Sequence, residues 1–370
     1  MKDLAEDIAP RAVAVQSLPG EEDLRFIRNF HDVFLSLGIL MFAGGLGTAT
    51  VMVLAPLIKE AGDGEKFQHV LTLIAGAGAA DAAIMWLVAE FFARGRRLFL
   101  PSIVIFMAFN VFFLIGAGAA YGAILNLDKA FFDDLDSAGI AGAIRQASEF
   151  FLVVLGVTTA AILAFYLRMR LPFAMGVFGY SLASVGVASA FYLWPEKAQA
   201  LVQPAQLAAG VFIFLLGVYF DARDPERKTR ISDNGFWLHF FAAPLILNSV
   251  LGMTVGADML TANSSGAAVV TLIVVVAFAT ISLLINRRAL LVAGLLYALI
   301  AAGYLISKVG LSGGWTAAVT LLVMGGAMVL LGGGWHGLRR VIVAPFPKTG
   351  LLARIIPPEP SKEERRRVSE

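Results

Sequence analysis

Ten apolar stretches of membrane-spanning length, separated by short charged or polar segments, follow one another along this chain, and that alternation leaves few folds open to it. A bilayer core of roughly 30 Å takes about 20 residues of α-helix to cross. Backbone N–H and C=O groups facing lipid must be satisfied within the spanning element, so apolar runs of this length read as transmembrane helices. The runs are 33–58, 70–93, 98–125, 150–167, 172–194, 204–220, 236–260, 267–285, 289–307 and 315–338. The seventh is the most diluted, by His239, Asn248 and Ser249. With 58% hydrophobic and 15% charged residues, against about 25% charged in soluble domains, lipid must solvate most of the surface. The expected fold is an all-α polytopic membrane protein of about ten helices. Its expected parts are a cytoplasmic tail over 1–32, a transmembrane domain over 33–338 and a cytoplasmic tail over 339–370.

Lysine and arginine set the orientation, because cytoplasmic loops retain them. With the N-terminus inside, alternate segments collect 23 of the 29 basic residues on the cytoplasmic side: the two tails, Arg94 to Arg97, Arg168 and Arg170, Arg223 to Arg230, and Arg287 with Arg288. Miscounting by one helix would mix the two sets, so an even number with both termini cytoplasmic is favoured. A bacterial inner membrane is the expected location. The turns at Arg94–Arg97, Arg168–Arg170 and Asn286–Arg288 are too short to join anything but antiparallel neighbours. An odd number of helices per half would also permit two inverted five-helix halves, although no residue-level repeat is visible.

The remaining segments read simply. Residues 1–30 carry acids and bases without a continuous apolar core, so a cleavable signal peptide is not expected there. The loop 126–149 bears Asp133, Asp134 and Asp136, without the ligand spacing of a calcium loop, and its alanine-rich part is expected as a short interfacial helix. The proline-rich tail from Ala344 is expected to be extended and disordered. Glycines cluster inside the runs (Gly44, Gly45, Gly47; Gly76, Gly78; Gly116, Gly118; Gly325, Gly326; Gly332 to Gly334), where small residues allow helices to approach closely, or alternatively to hinge about a substrate.

Three polar residues fall at comparable depth in their helices: Asp81, Asn110 and Asn248. A carboxylate at bilayer depth is costly unless paired, hydrated or protonated, which makes Asp81 the leading candidate for a substrate or proton site. The tight turn between the second and third runs suggests an Asp81–Asn110 hydrogen bond. Glu90 stands four residues before Arg94 and is expected to pair with it. The segment 221–234 mixes acids and bases, with Asp224-Pro225 reading as a turn and Ser232 or Asp233 as the cap of the seventh helix. Its ions are expected to pair internally. Arg223, Asp224, Arg227, Lys228, Arg230 and the nearby His239 are candidates for a cytoplasmic gate or a site for anionic headgroups.

No motif for an enzyme is present: no phosphate-binding glycine loop, no Gly-x-Ser-x-Gly, no His-Glu-x-x-His and no histidine pair with metal spacing. The absence of cysteine removes disulfides and thiolate chemistry. No cofactor, metal or nucleic acid is expected. The expected partners are the bilayer, a small solute or proton, and anionic lipid at the basic turns. Two functions fit: a small-solute or proton-coupled carrier with a midplane polar site, or a non-transporting scaffold for membrane or envelope assembly whose buried polar groups only fix helix packing.

Overall fold

The computed structural model describes residues 30–61, 65–96, 98–126, 139–225, 227, 230–256, 264–310, 314–347 and 349–356. Among these, ten helices are long and apolar enough to cross a membrane. They are α1 (Phe30–Ala61), α2 (Glu65–Ala89), α3 (Phe99–Ile124), α4 (Gly139–Met169), α5 (Pro172–Leu193), α6 (Ala198–Arg223), α7 (Arg230–Val255), α8 (Ser265–Ile285), α9 (Ala289–Ser307) and α10 (Gly314–Val343). A short α11 (Leu351–Ile355) follows. The chain is an α-helical multi-span membrane protein.

The three tight turns do what their length requires: α2 packs along α3, α4 along α5, and α8 along α9. Closest approach between α2 and α3 occurs where glycine meets glycine. A Cβ on Gly78 would lie 2.8 Å from the Gly116 Cα, with backbone that cannot yield. The other glycine clusters differ, because nothing lies within 4 Å of the Cβ positions of Gly44, Gly45, Gly325, Gly326 or Gly332 to Gly334. The two sets of five helices are not packed alike. Helix α1 sits against both α2 and α3, whereas α6 is paired closely with α7 and has no comparable seat on α8.

Several boundaries move from their expected places. Residues 139–149 are the first turns of α4, since nothing between Gly139 and Phe150 breaks a helix and Arg145 rests over the Tyr192 ring at 5.0 Å. The acidic triplet of that loop lies outside the described residues. Helix α6 begins six residues before Pro204 and carries the proline inside. Helix α7 likewise starts at Arg230, so Ser232 and Asp233 lie within its first turns and do not precede it as caps. Helix α10 runs past Leu338 to Val343 with Arg339 buried, and α11 gives helical structure to part of the tail expected to be extended. In α4, α6, α7 and α10 polar residues at the ends of the apolar runs continue the helix where a neighbouring element takes up their side chains: Arg145 on Tyr192, Gln203 on Gly252, Ser232 with Arg287, and Arg339 on Leu283 O.

Side-chain contacts bring the basic turns to one end of the bundle. Glu90, in the π-helical turn that closes α2, receives Arg94 at 3.2 Å and, at 2.7 Å, Arg168 from the end of α4. Tyr166 of α4 accepts from Asn234 Nδ2 of α7 at 2.9 Å. Trp237 of α7 meets Phe173 of α5 edge-on at 4.7 Å and stacks on Phe99 of α3 at 6.5 Å. The ends of α2, α4, α6, α8 and α10 and the starts of α3, α5, α7 and α9 thus share one face, hereafter the basic end.

Candidate functional site

The most concentrated buried chemistry lies at the basic end, where α6 ends, α7 begins and α8 turns into α9. Helix α8 terminates in a Schellman motif: Asn286 takes the left-handed conformation (φ 55°), its N–H donates to Leu283 O at 3.3 Å, and Arg287 N–H reaches Ser282 O at 2.9 Å. Ser282 Oγ returns a bond to Arg287 O at 2.6 Å. This geometry turns Arg287 inward, and the residue is 2% exposed.

Arg287 forks onto the Asp221 carboxylate. Its Nε donates to Oδ2 at 3.0 Å and its Nη2 to Oδ1, and Nη2 also reaches Ser232 O at 2.9 Å and Ser232 Oγ at 3.0 Å. His239, fully buried, places Nε2 3.1 Å from Asp221 Oδ2. One planar cation and one planar anion, joined at two points, neutralise each other where neither is solvated. The packing leaves room for nothing larger. A Cβ on Gly235 would overlap Asp221 Oδ1, and a Cβ on Gly217 would lie 2.9 Å from the His239 ring.

Two further arginines close the carbonyl end of α8. Arg227 donates from Nη1 to Asn286 O at 2.7 Å and from Nη2 to Ile285 O at 2.9 Å, while Arg339 Nε donates to Leu283 O at 2.9 Å. Cations at a helix C-terminus are favoured by its dipole and satisfy carbonyls that lack intrahelical donors. Trp335 Nε1 donates to Asn286 Oδ1 at 2.9 Å, and Arg288 lies over its ring at 5.2 Å. Arg227 itself is left-handed (φ 56°), closing the expected turn with a bond from its N–H to Asp224 O at 3.0 Å.

The midplane candidates do not form one site. Asp81 is 5% exposed, and its Oδ2 accepts from Thr50 Oγ1 of α1 at 2.8 Å, not from Asn110. The Asn110 Oδ1 is buried with no hydrogen-bond partner among the described residues. The register fixed by Gly78 on Gly116 turns Asp81 toward α1, which an argument from depth alone does not see. Asn248 belongs to a different group: its Nδ2 donates to Gln206 Oε1 of α6 at 3.2 Å, and its Oδ1 accepts from the Tyr297 hydroxyl of α9 at 3.2 Å. One level further from the basic end, Gln203 packs against Gly252, where a Cβ would overlap its amide, and its Oε1 is buried without a partner.

Of the gate candidates, Arg227 and His239 join the basic-end cluster directly. Arg223 lies over the Tyr219 ring at 4.4 Å, and Asp224 supplies the turn carbonyl. Lys228 and the Arg230 side chain lie outside the described residues. Asp221 pairs with an arginine 66 residues away, and internal pairing within 221–234 is corrected for that residue. Sequence reasoning missed Arg287, Arg339 and Trp335 as members of this cluster. Their one visible signal was the pairing of Asn286 with a following arginine in a turn too short to project both outward. No protein-family model matches the chain, and neither a curated protein nor a solved structure shows significant similarity to it.

Proposed function

We propose that the chain is a membrane carrier for a small polar solute, coupled to protons, whose pathway follows α7, with the basic end and both termini in the cytoplasm of a bacterial inner membrane. One observation supports it most. Along helix α7, enclosed by α5, α6, α8 and α9, buried acceptors with no protein partner among the described residues stand at three levels: Asn234 Oδ1 and His239 Nδ1 on α7 itself, and Gln203 Oε1 of α6 beside Gly252. From residue 234 to 252 is about 27 Å of helix, close to the depth of a bilayer core. Buried acceptors of this kind are ordinarily met by water or a ligand. Asn248 with Gln206 and Tyr297 lies between, and the Asp221–Arg287 pair closes the basic end. No covalent chemistry is assigned.

The test is proton flux. Purified protein in liposomes loaded with a pH-sensitive dye, given a pH step and a potassium diffusion potential, should acidify faster than empty liposomes, and His239→Gln should reduce the rate at least fivefold while eluting as the native species. Flux equal to that of empty liposomes across a screen of small solutes would overturn the carrier reading. It would favour the scaffold reading, which draws support from Asp81 and Asn248 each bonding to a neighbouring helix and so fixing its packing.

A further inference from the structure

A groove of about 230 Å³ lies between α4, α5, α6 and α7, toward the end opposite the basic one. Its walls are apolar: Phe151 and Leu155 on α4, Tyr180, Val187 and Phe191 on α5, and Leu245 on α7. Buried small residues, Ser148, Ala183 and Ala188, form the floor, and Gln206, its Oε1 already accepting from Asn248, closes one side. Phe151 and Tyr180 remain 55% and 41% exposed although they stand well inside their helices, so the groove opens sideways, toward lipid. From Tyr180 to Phe191 it runs about 17 Å along α5, roughly one leaflet of a 30 Å core.

The outer end of the groove has the chemistry of a headgroup. On α4 the lining residues 148, 151 and 155 continue backward at helical spacing to Arg145, which is exposed and rests on Tyr192. On α5 the stripe continues to Trp194, 48% exposed at the helix end, a position where an indole sits at headgroup level. Lys197 and Glu196 follow in the next turn, and Glu149 lies one turn along α4 from Arg145. Among the described residues, two cations and two anions thus stand at this end of the groove-lining helices. We infer that this groove holds one acyl chain of a zwitterionic phospholipid, its phosphate taken by Arg145 and Lys197 and its ammonium by Glu149 and Glu196. The balanced charge argues against an anionic lipid, whose headgroup brings no cation to either glutamate.

Native mass spectrometry of the intact protein, with phosphatidylethanolamine, phosphatidylcholine and phosphatidylglycerol added singly to the detergent, tests the assignment. One molecule of either zwitterionic lipid should bind saturably, at least fivefold more tightly than phosphatidylglycerol. Ser184→Phe, which fills the groove from α5, should abolish that step. If that variant does not fold, the exposed substitutions decide: Arg145→Gln should weaken zwitterionic binding severalfold, and Glu149→Gln should raise phosphatidylglycerol binding at least threefold. Equal retention of all three lipids, the absence of a saturable first step, or a folded Ser184→Phe with unchanged binding would each overturn it. The outcome is independent of flux, so the groove and the carrier reading stand or fall separately.

Discussion

Replacing Arg287 by methionine removes the guanidinium that meets Asp221 and leaves the carboxylate, in a residue 8% exposed, with His239 as its one side-chain partner among the described residues. Breaking a buried ion pair from one side costs about 3–5 kcal/mol, because the remaining charge keeps its desolvation penalty without its compensation. Two acceptors on Ser232 lose their donor as well, which places the expected loss in the upper half of that range. Removing both charges together, Asp221→Leu with Arg287→Met, takes the penalty away and should cost less than about 2 kcal/mol, so the double variant should be more stable than Arg287→Met alone by at least about 2 kcal/mol. Unfolding in mixed micelles of rising dodecyl sulfate fraction, followed by tryptophan fluorescence, measures this directly, since Trp237 and Trp335 both sit at the basic end. Lysine should not substitute for Arg287, because a point charge cannot reproduce the two-pronged contact. A loss below about 1 kcal/mol for Arg287→Met, or a double variant no better than the single, would refute the pair as the element holding α6, α7 and α9 together.

Gly78→Leu should cost about 1–3 kcal/mol in the same assay by forcing α2 from α3, whereas Gly326→Leu, with open space at its Cβ, should change stability by less than about 0.5 kcal/mol. Asp81→Asn keeps the bond from Thr50 and should be neutral for stability, while Asp81→Leu should cost about 1–2 kcal/mol; the carrier reading further requires that Asp81→Asn alter the pH dependence of any flux, measured in proteoliposomes. Single cysteines in this cysteine-free chain at Lys66 and Lys197 should react with an impermeant reagent added outside the cell, and those at Arg96 and Arg288 should not; the reverse pattern would invert the orientation.

Helix number, helix neighbours at short turns and the gathering of basic residues on one face were all legible, since each follows from run length, turn length or charge placement. The side-chain pairing was not. Arg287 in a three-residue turn reads as a topology signal, and what makes it a buried ion is the left-handed Asn286 before it and the arrival of α6 and α7 beneath, both set by packing. Glu90 shows the partial case, where the local partner Arg94 was readable at i,i+4 and Arg168, 78 residues on, was not. Asp81 shows the limit of reasoning from depth: Asn110 matched it in level, yet the rotation of α2 about its axis, fixed by Gly78 against Gly116, gave the carboxyl to Thr50.

The two ends of the bundle differ in what holds them. At the basic end, α6, α7, α8, α9 and α10 are joined by charge-assisted or fully buried hydrogen bonds, and α3, α5 and α7 by rings centred on Trp237. Toward the other end α6, α7 and α9 meet through amide and phenol bonds of 3.2 Å, and a groove opens among α4, α5, α6 and α7. Neutral bonds of that length contribute about 1 kcal/mol or less each between membrane helices, several times less than it costs to separate a buried ion pair. On the carrier reading proposed above, the first movement is expected where the bonds are neutral, with the Asp221–Arg287 cluster as its pivot. For a carrier this orders the cycle: access from the side opposite the basic end requires only amide exchange, while access from the basic end requires Arg287 to leave Asp221, a step that becomes feasible when a proton or a cationic group takes its place at the carboxylate.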